Sequence, residues 1–143
     1  MSGRFFLDTN IFIYTFDSRE PAKQRQSLER VTEALDTRKG LISFQVVQEF
    51  LNAASRKFTR PLSPVDCRRY LHQVLAPLCD VHSSTALYDR AIELAERWRY
   101  GFYDALIISA ALHGGCDRLY SEDLQHGQII QGLTIVNPFR GAS

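Results

Sequence analysis

The stretch "YDALIISAALHGG", Tyr103 to Gly115, limits what this chain can fold into more than any other. From Ala105 to Leu112 it holds eight residues, and Ser109 is the only polar one. Gly114 and Gly115 stop the run in the manner of a left-handed helix terminus, so the pattern predicts a helix here. It is far too short to cross a bilayer, which takes about 20 apolar residues. A helix apolar all round must be covered by other elements on most of its surface. That requirement points to a layered fold with this helix deep inside.

Short apolar runs supply the other layer. Residues 4–8 and 41–43 read as buried strands, 79–83 as a weaker one, and 117–121 and 133–137 as the last two. Helical patterns fill the gaps at 10–17, at 21–39 with Pro21 near its start, at 44–58, at 65–78 and at 84–99. Ser43 stands where a cap belongs for the helix over 44–58, whose Val46, Val47, Phe50, Leu51 and Ala54 share one face. The helix over 84–99 carries Ala86, Ile92 and Leu94 among its apolar positions. Gly40 and Gly101 interrupt the pattern, and "RPLSP" is a loop. Short strands alternating with helices predict an α/β fold, a three-layer α/β/α sandwich around a mostly parallel sheet.

With 143 residues, 45% of them hydrophobic and 23% charged, the chain is expected to form one domain over 1–143. A net charge of +1 excludes a global basic field, leaving only a local strip for a nucleic-acid partner. Cys67, Cys79 and Cys116 are odd in number and lack ligand spacing, so they read as reduced core thiols. No signal peptide or membrane-spanning run is recognised, and a cytoplasmic location is expected.

In such a sheet the ligand site lies beyond the carboxyl ends of the strands, at a topological switch point. The acidic residues should then fall just after strands or at helix starts. Asp8 does, at the end of "FFLDTN", although an N-cap would also account for it. Asp104 opens the apolar helix, where the helix dipole favours an acid but burial beside an ionised carboxylate is costly without a partner. Asp123 lies in "LYSEDL", and spacing does not separate it from Glu122. Glu49 falls on the polar flank of its helix, beside Gln45, Asn52 and Arg56, and reads as a solvated residue.

Taken in order, "FFLDTN", "SFQVVQEF", "YDALIISAA" and "YSEDL" resemble the PIN-domain ribonucleases, and among them the VapC-type toxins of bacterial toxin–antitoxin pairs. The resemblance runs from Phe5 to about Phe139. It implies a quartet of Asp8, Glu49, Asp104 and Asp123, supported by Thr9, Asn10, Ser43 and Ser121. Asp8 and Asp104 would be the residues most directly associated with a metal. It further implies RNA as substrate, a cognate antitoxin covering the site, and a homodimer.

The chemistry is consistent with that quartet. Four ionised carboxylates in one pocket have six mutual repulsions, each roughly 2–3 kcal/mol at ~6 Å and an effective dielectric of ~20. Either protons or a divalent cation must relieve them. Hard oxygen donors select Mg2+ or Mn2+ and not zinc. Such a cation supports hydrolysis of a phosphodiester, with Glu49 and Asp123 holding waters and helping to place the nucleophile.

Phosphate contacts would come from Arg56, Lys57 and Arg60, then Arg68, Arg69, Arg97 and Arg99, unless these are only solvated helix ends. Trp98, Tyr100, Phe102 and Tyr103 either stack bases near Asp104 or pack in the core. Ile11, Phe12, Ile13, Tyr14 and Phe16 exceed what one short helix needs to bury, so they either form surface for a partner or, as expected for most of them, pack in the core. The alternatives are a housekeeping RNA-processing nuclease with the same site, a receiver-like Mg2+-binding signalling domain, and a degenerate binding module. The signalling fold usually has paired acids after its first strand, whereas Thr9 and Asn10 follow Asp8 here.

Overall fold

A computed structural model describes residues 2–140. Six strands form one sheet: β1 (Phe5–Leu7), β2 (Gly40–Ser43), β3 (Cys79–Val81), β4 (Arg118–Tyr120), β5 (Ile129–Ile130) and β6 (Leu133–Val136). Their order across the sheet is β3-β2-β1-β4-β6-β5. All neighbours run parallel except β5 and β6, which pair antiparallel. The expected mostly parallel α/β sandwich is therefore present. β1 and β2 are buried at every residue, as a parallel sheet covered on both faces requires.

The helices are α1 (Thr9–Tyr14), α2 (Pro21–Thr37), α3 (Phe44–Arg56), α4 (Pro64–Tyr70), α5 (Ala76–Leu78), α6 (Thr85–Trp98) and α7 (Phe102–His113). Between α4 and α5 the stretch Leu71–Leu75 is π-helical. Pro77 follows it, a residue with no N–H to return to the preceding turn, and the ladder widens just before it.

Side chains alternate between the faces of β2, and its two neighbours show which helix covers which face. Gly40 faces α2 so closely that a Cβ built there would lie 2.3 Å from Ala34 Cβ and 2.7 Å from the Phe5 ring. Leu41, pointing the other way, meets the end of α7, where a Cβ on Gly114 would lie 2.5 Å from Leu41 Cδ1. Gly40, expected as a break, is thus the first residue of a strand, and its missing side chain lets α2 lie against the sheet.

The apolar helix α7 is as deep as its sequence demands: Ala105 to Ala111 are all buried. Its polar exception is satisfied, since Ser109 Oγ donates to the carbonyl of Leu87 on α6 at 2.9 Å. On α6 the buried positions are Leu87, Ala91 and Leu94. Ala86 and Ile92, expected inside, face outward, with Ile92 57% exposed. Strand β5 was not expected from the sequence. It is short, and it is turned into β6 by Gln131 and Gly132, both at positive φ (51° and 87°), the backbone of a two-residue hairpin turn.

Candidate active site

The chain leaves β1 toward β2 on one side of the sheet and places β4 and β6 on the other, so β1 and β4 flank the switch point. Asp8 follows β1 directly, and its N–H donates to the carbonyl of Tyr120 on β4 at 3.0 Å. Its backbone is extended (φ −72°, ψ 163°) and it caps α1, with Oδ1 accepting the Thr9 N–H at 2.7 Å. The other oxygen, Oδ2, accepts from Ser121 Oγ at 2.8 Å. Asp8 therefore caps the helix and faces the strand ends at once. It is only 8% exposed, and burial pushes its carboxyl up to about 6. The bonds from Ser121 and Thr9 oppose that rise, and the charges of Asp123 and Glu49 add to it.

From Asp8 a chain of hydrogen bonds reaches two more acids. Thr9 Oγ1 donates to Glu49 Oε1 at 2.5 Å, and Gln45 Nε2 donates to Glu49 Oε2 at 3.2 Å. On the other side Ser121 Oγ accepts the Asp123 N–H at 3.2 Å, and Asn10 Nδ2 donates to Asp123 Oδ2 at 2.8 Å. Asp104 stands in the first turn of α7 with its surface open to solvent. Partial desolvation raises its carboxyl above the ordinary aspartate range, and the charges of Asp123 and Glu49 raise it further. Asp123 is raised by partial desolvation first, then by Glu122, with the bond from Asn10 opposing and Glu49 adding. The charges of Glu49 and Asp123 thus act on both Asp8 and Asp104.

The two adjacent acids after β4 separate cleanly. Glu122 Oε1 accepts from the Tyr14 hydroxyl at 2.8 Å, and its Oε2 pairs with Lys23 Nζ at 2.7 Å. Its charge is neutralised by a cation that also lies 4.8 Å from the Tyr14 ring centre. Asp123 turns the other way, to Asn10. Among the described residues none of Asp8, Glu49, Asp104 and Asp123 joins an ion pair.

Among the described residues no three His, Cys, Asp or Glu side chains stand close enough to form a ready-made metal cage. The donors that are present still fit one class of ion. They are all oxygens, they lack counter-cations, and one of them is a buried carboxylate that resists ionising alone. Mg2+ keeps several of its waters and takes only one or two carboxylates directly, so such an ion does not require a ready-made cage.

Of the small polar residues expected around the acids, Thr9, Asn10 and Ser121 hold them. Ser43 stands at the N-cap of α3, but its hydroxyl makes no cap bond and is buried without a partner. Gln45, read as part of a solvated flank, is 4% exposed and bonds Glu49. The i,i+4 spacing of an amide and an acid was the signal for it. Lys23 and Tyr14 left no comparable signal, since their partner lies 99 and 108 residues away.

One turn beyond Thr9 on α1 and beyond Glu49 on α3, Ile13 and Ala53 enter a groove of about 690 Å3 that Phe16, Lys57, Phe58 and Arg60 also line. Lys57, Arg60, Arg56, Arg68, Arg69, Arg97 and Arg99 are all exposed. Ile11 and Phe12 are fully buried, Ile13 and Tyr14 are partly covered, and Phe16 is 41% exposed against Phe58, Phe50 and Tyr70. Trp98 and Tyr100 pack against the core, whereas Phe102 and Tyr103 meet edge to face on the surface beside Asp104. The three cysteines are free thiols, and burial pushes Cys116 up to about 12.

The family model of the PIN domain matches residues 5–129. The chain belongs to the PIN domain family. No curated protein matches it. Among solved structures, this PIN domain is similar to a toxin-antitoxin complex from Klebsiella pneumoniae, at 20% identity and a TM-score of 0.65, covering 93% of this chain and 96% of that one. It is similar to DNA-bound VapBC from Salmonella typhimurium at 22% identity, a TM-score of 0.62 and coverages of 92% and 96%. VapC20 of Mycobacterium tuberculosis, a sarcin-ricin loop cleaving toxin, matches at 20% identity and a TM-score of 0.57, covering 83% of this chain and 89% of that one. The PIN domain shares its fold with these proteins. Family membership sets aside the receiver-like alternative.

Proposed function

We propose that this PIN domain is a metal-dependent endoribonuclease, the toxin of a toxin–antitoxin pair. One observation carries the reading: a single chain of hydrogen bonds links Asp8, Glu49 and Asp123, the charges of Glu49 and Asp123 reach Asp104, and among the described residues no cation pairs with any of the four. A binding module has no use for acids held together against their repulsion.

Asp8 and Asp104 would hold Mg2+, with Mn2+ as the substitute. When bound, such an ion supplies Lewis acidity and neutralises charge on a phosphodiester under in-line attack. Glu49 and Asp123 accept hydrogen bonds from water and place the nucleophile, and Thr9, Asn10, Gln45 and Ser121 fix the direction of those carboxylates. Exposed Lys57 and Arg60, beside the groove next to Glu49, offer contacts for the RNA backbone. The toxin reading rests on the shared fold with VapBC complexes, and it brings with it an antitoxin partner, a homodimer and a cytoplasmic setting.

The test is cleavage of labelled RNA with and without Mg2+ or Mn2+, comparing the wild type with Asp8→Asn. The expected outcome is cleavage that chelation abolishes and that Asp8→Asn lowers by about 100-fold or more. Cleavage indifferent to both would sink the proposal. Growth arrest on expression, relieved by a co-expressed antitoxin, distinguishes a toxin from a housekeeping nuclease.

A further inference from the structure

Gln45 is a buried amide in a fold that supplies it with an unusual set of neighbours. It lies in the first turn of α3, four residues before Glu49, and is 4% exposed. Its Nε2 donates twice, to Glu49 Oε2 at 3.2 Å and to the carbonyl of Tyr103 at 3.2 Å. Its Oε1 is buried and has no partner. A buried acceptor left unpaired costs free energy, commonly enough to select against the arrangement. Turning the amide over would be worse, because the oxygen would then face a carboxylate and a carbonyl, two groups that can only accept. The orientation is therefore fixed by the chemistry of the neighbours.

Tyr103 immediately precedes Asp104, so this one side chain ties an acid on α3 to the turn of α7 that carries another. No other side chain hydrogen bond among the described residues joins α3 to that turn. Thr9 already holds Glu49 Oε1 from α1, so Gln45 engages the second oxygen and completes the fixing of that carboxylate.

Resting on the nuclease reading above, we infer that Gln45 is a positioning residue that sets Glu49 and the Asp104 turn in register for the divalent ion. It touches neither substrate nor ion and acts through those two acids. Neighbours of this kind typically change metal affinity or activity by about 10–100-fold when removed.

The test measures Mn2+ binding to the full chain by the electron paramagnetic resonance of free Mn2+, alongside RNA cleavage. It uses the wild type, Asp8→Asn, Glu49→Gln, Gln45→Met and the double variant Glu49→Gln/Gln45→Met. Methionine keeps the volume and removes both donors, and Gln45→Leu serves as a second variant should it not fold. Gln45→Met is expected to weaken Mn2+ binding by about tenfold and lower kcat similarly, with KM for RNA changed less than about twofold. In the double variant it should add less to the loss from Glu49→Gln than Gln45→Met costs alone, because part of its effect runs through that carboxylate and the rest through the Tyr103 carbonyl. Losses that simply multiply, or a lowered melting temperature with Mn2+ affinity and kcat intact, would overturn the assignment. If Asp8→Asn abolishes Mn2+ binding and Gln45→Met leaves it unchanged, the inference fails alone. If the wild type binds no Mn2+, the nuclease reading fails and takes the inference with it.

Discussion

Asp8 shows how one residue can serve local structure and chemistry at the same time, and it carries a testable conflict between them. Its carboxyl is raised in the folded chain from 3.8 to about 6, chiefly by burial. The folded state thus holds a proton that the unfolded state releases between those values. The contribution of Asp8 to the stability of the metal-free protein is fully present below the unfolded value and is lost as pH rises through about 6, up to about 3 kcal/mol. Asp8→Asn should therefore raise metal-free stability at pH 7.5 by about 1 kcal/mol or more while removing cleavage. Urea denaturation at pH 5 and pH 7.5 checks it, and an equal effect at both would contradict the account. The neighbouring pair gives a second contrast at this scale. Asp123→Asn should lower cleavage by about tenfold or more, while Glu122→Gln, which breaks the pair with Lys23, should cost about 1 kcal/mol of stability and change the rate only a few-fold. The reverse ranking in a kinetic comparison would reassign the fourth acid.

Single elements depend on equally particular contacts. The approach of α2 to the sheet rests on Gly40 having no side chain, since an added Cβ would also lie 2.7 Å from the Ala34 backbone. A backbone contact cannot rotate away, so Gly40→Ala must push the helix outward. We expect a loss of about 2–3 kcal/mol, read as a lower urea midpoint, at a position whose φ is otherwise open to alanine. A change under about 0.5 kcal/mol would mean that α2 yields more freely than its packing implies. The sequence treated this residue as punctuation because glycine in a pattern usually marks a break. Space, not backbone freedom, is what the strand needed here.

For the molecule as a whole, the readable features were those that repeat locally. The apolar run of α7 and the alternation of short strands with helices were enough to expect a mostly parallel sheet with Asp8 at the end of its first strand, but not the order of its strands. Asp8, Asp104 and one of the pair Glu122 and Asp123 could be named because they fall at strand ends or helix starts, a rule that concerns topology more than contact. Glu49 and the choice of Asp123 came only from the resemblance to the PIN-domain ribonucleases. What escaped notice depended on distant partners. Glu49 looked solvated on a helical wheel because Thr9, which holds one of its oxygens, comes from α1, and Gln45, which holds the other, is tied to the α7 turn. Ile92 faces outward because α6 buries the stripe through Leu87, Ala91 and Leu94 instead. Strand β5, two residues long, had no periodicity to display, and only its Gln131–Gly132 turn could have announced it.

The bonds from Ser121 to Asp8 and from Asn10 to Asp123 each span 113 residues. In a growing chain β1 emerges long before β4, beside which it must lie. Until then Asp8 has no Ser121, Asn10 has no Asp123, and β1 lacks one of its two neighbours. Contacts so far apart in sequence form late in folding as well. A ribosome therefore carries an incomplete site until Ser121 and Asp123 have been added, and on the nuclease reading proposed above the chain has no competence to cut before then.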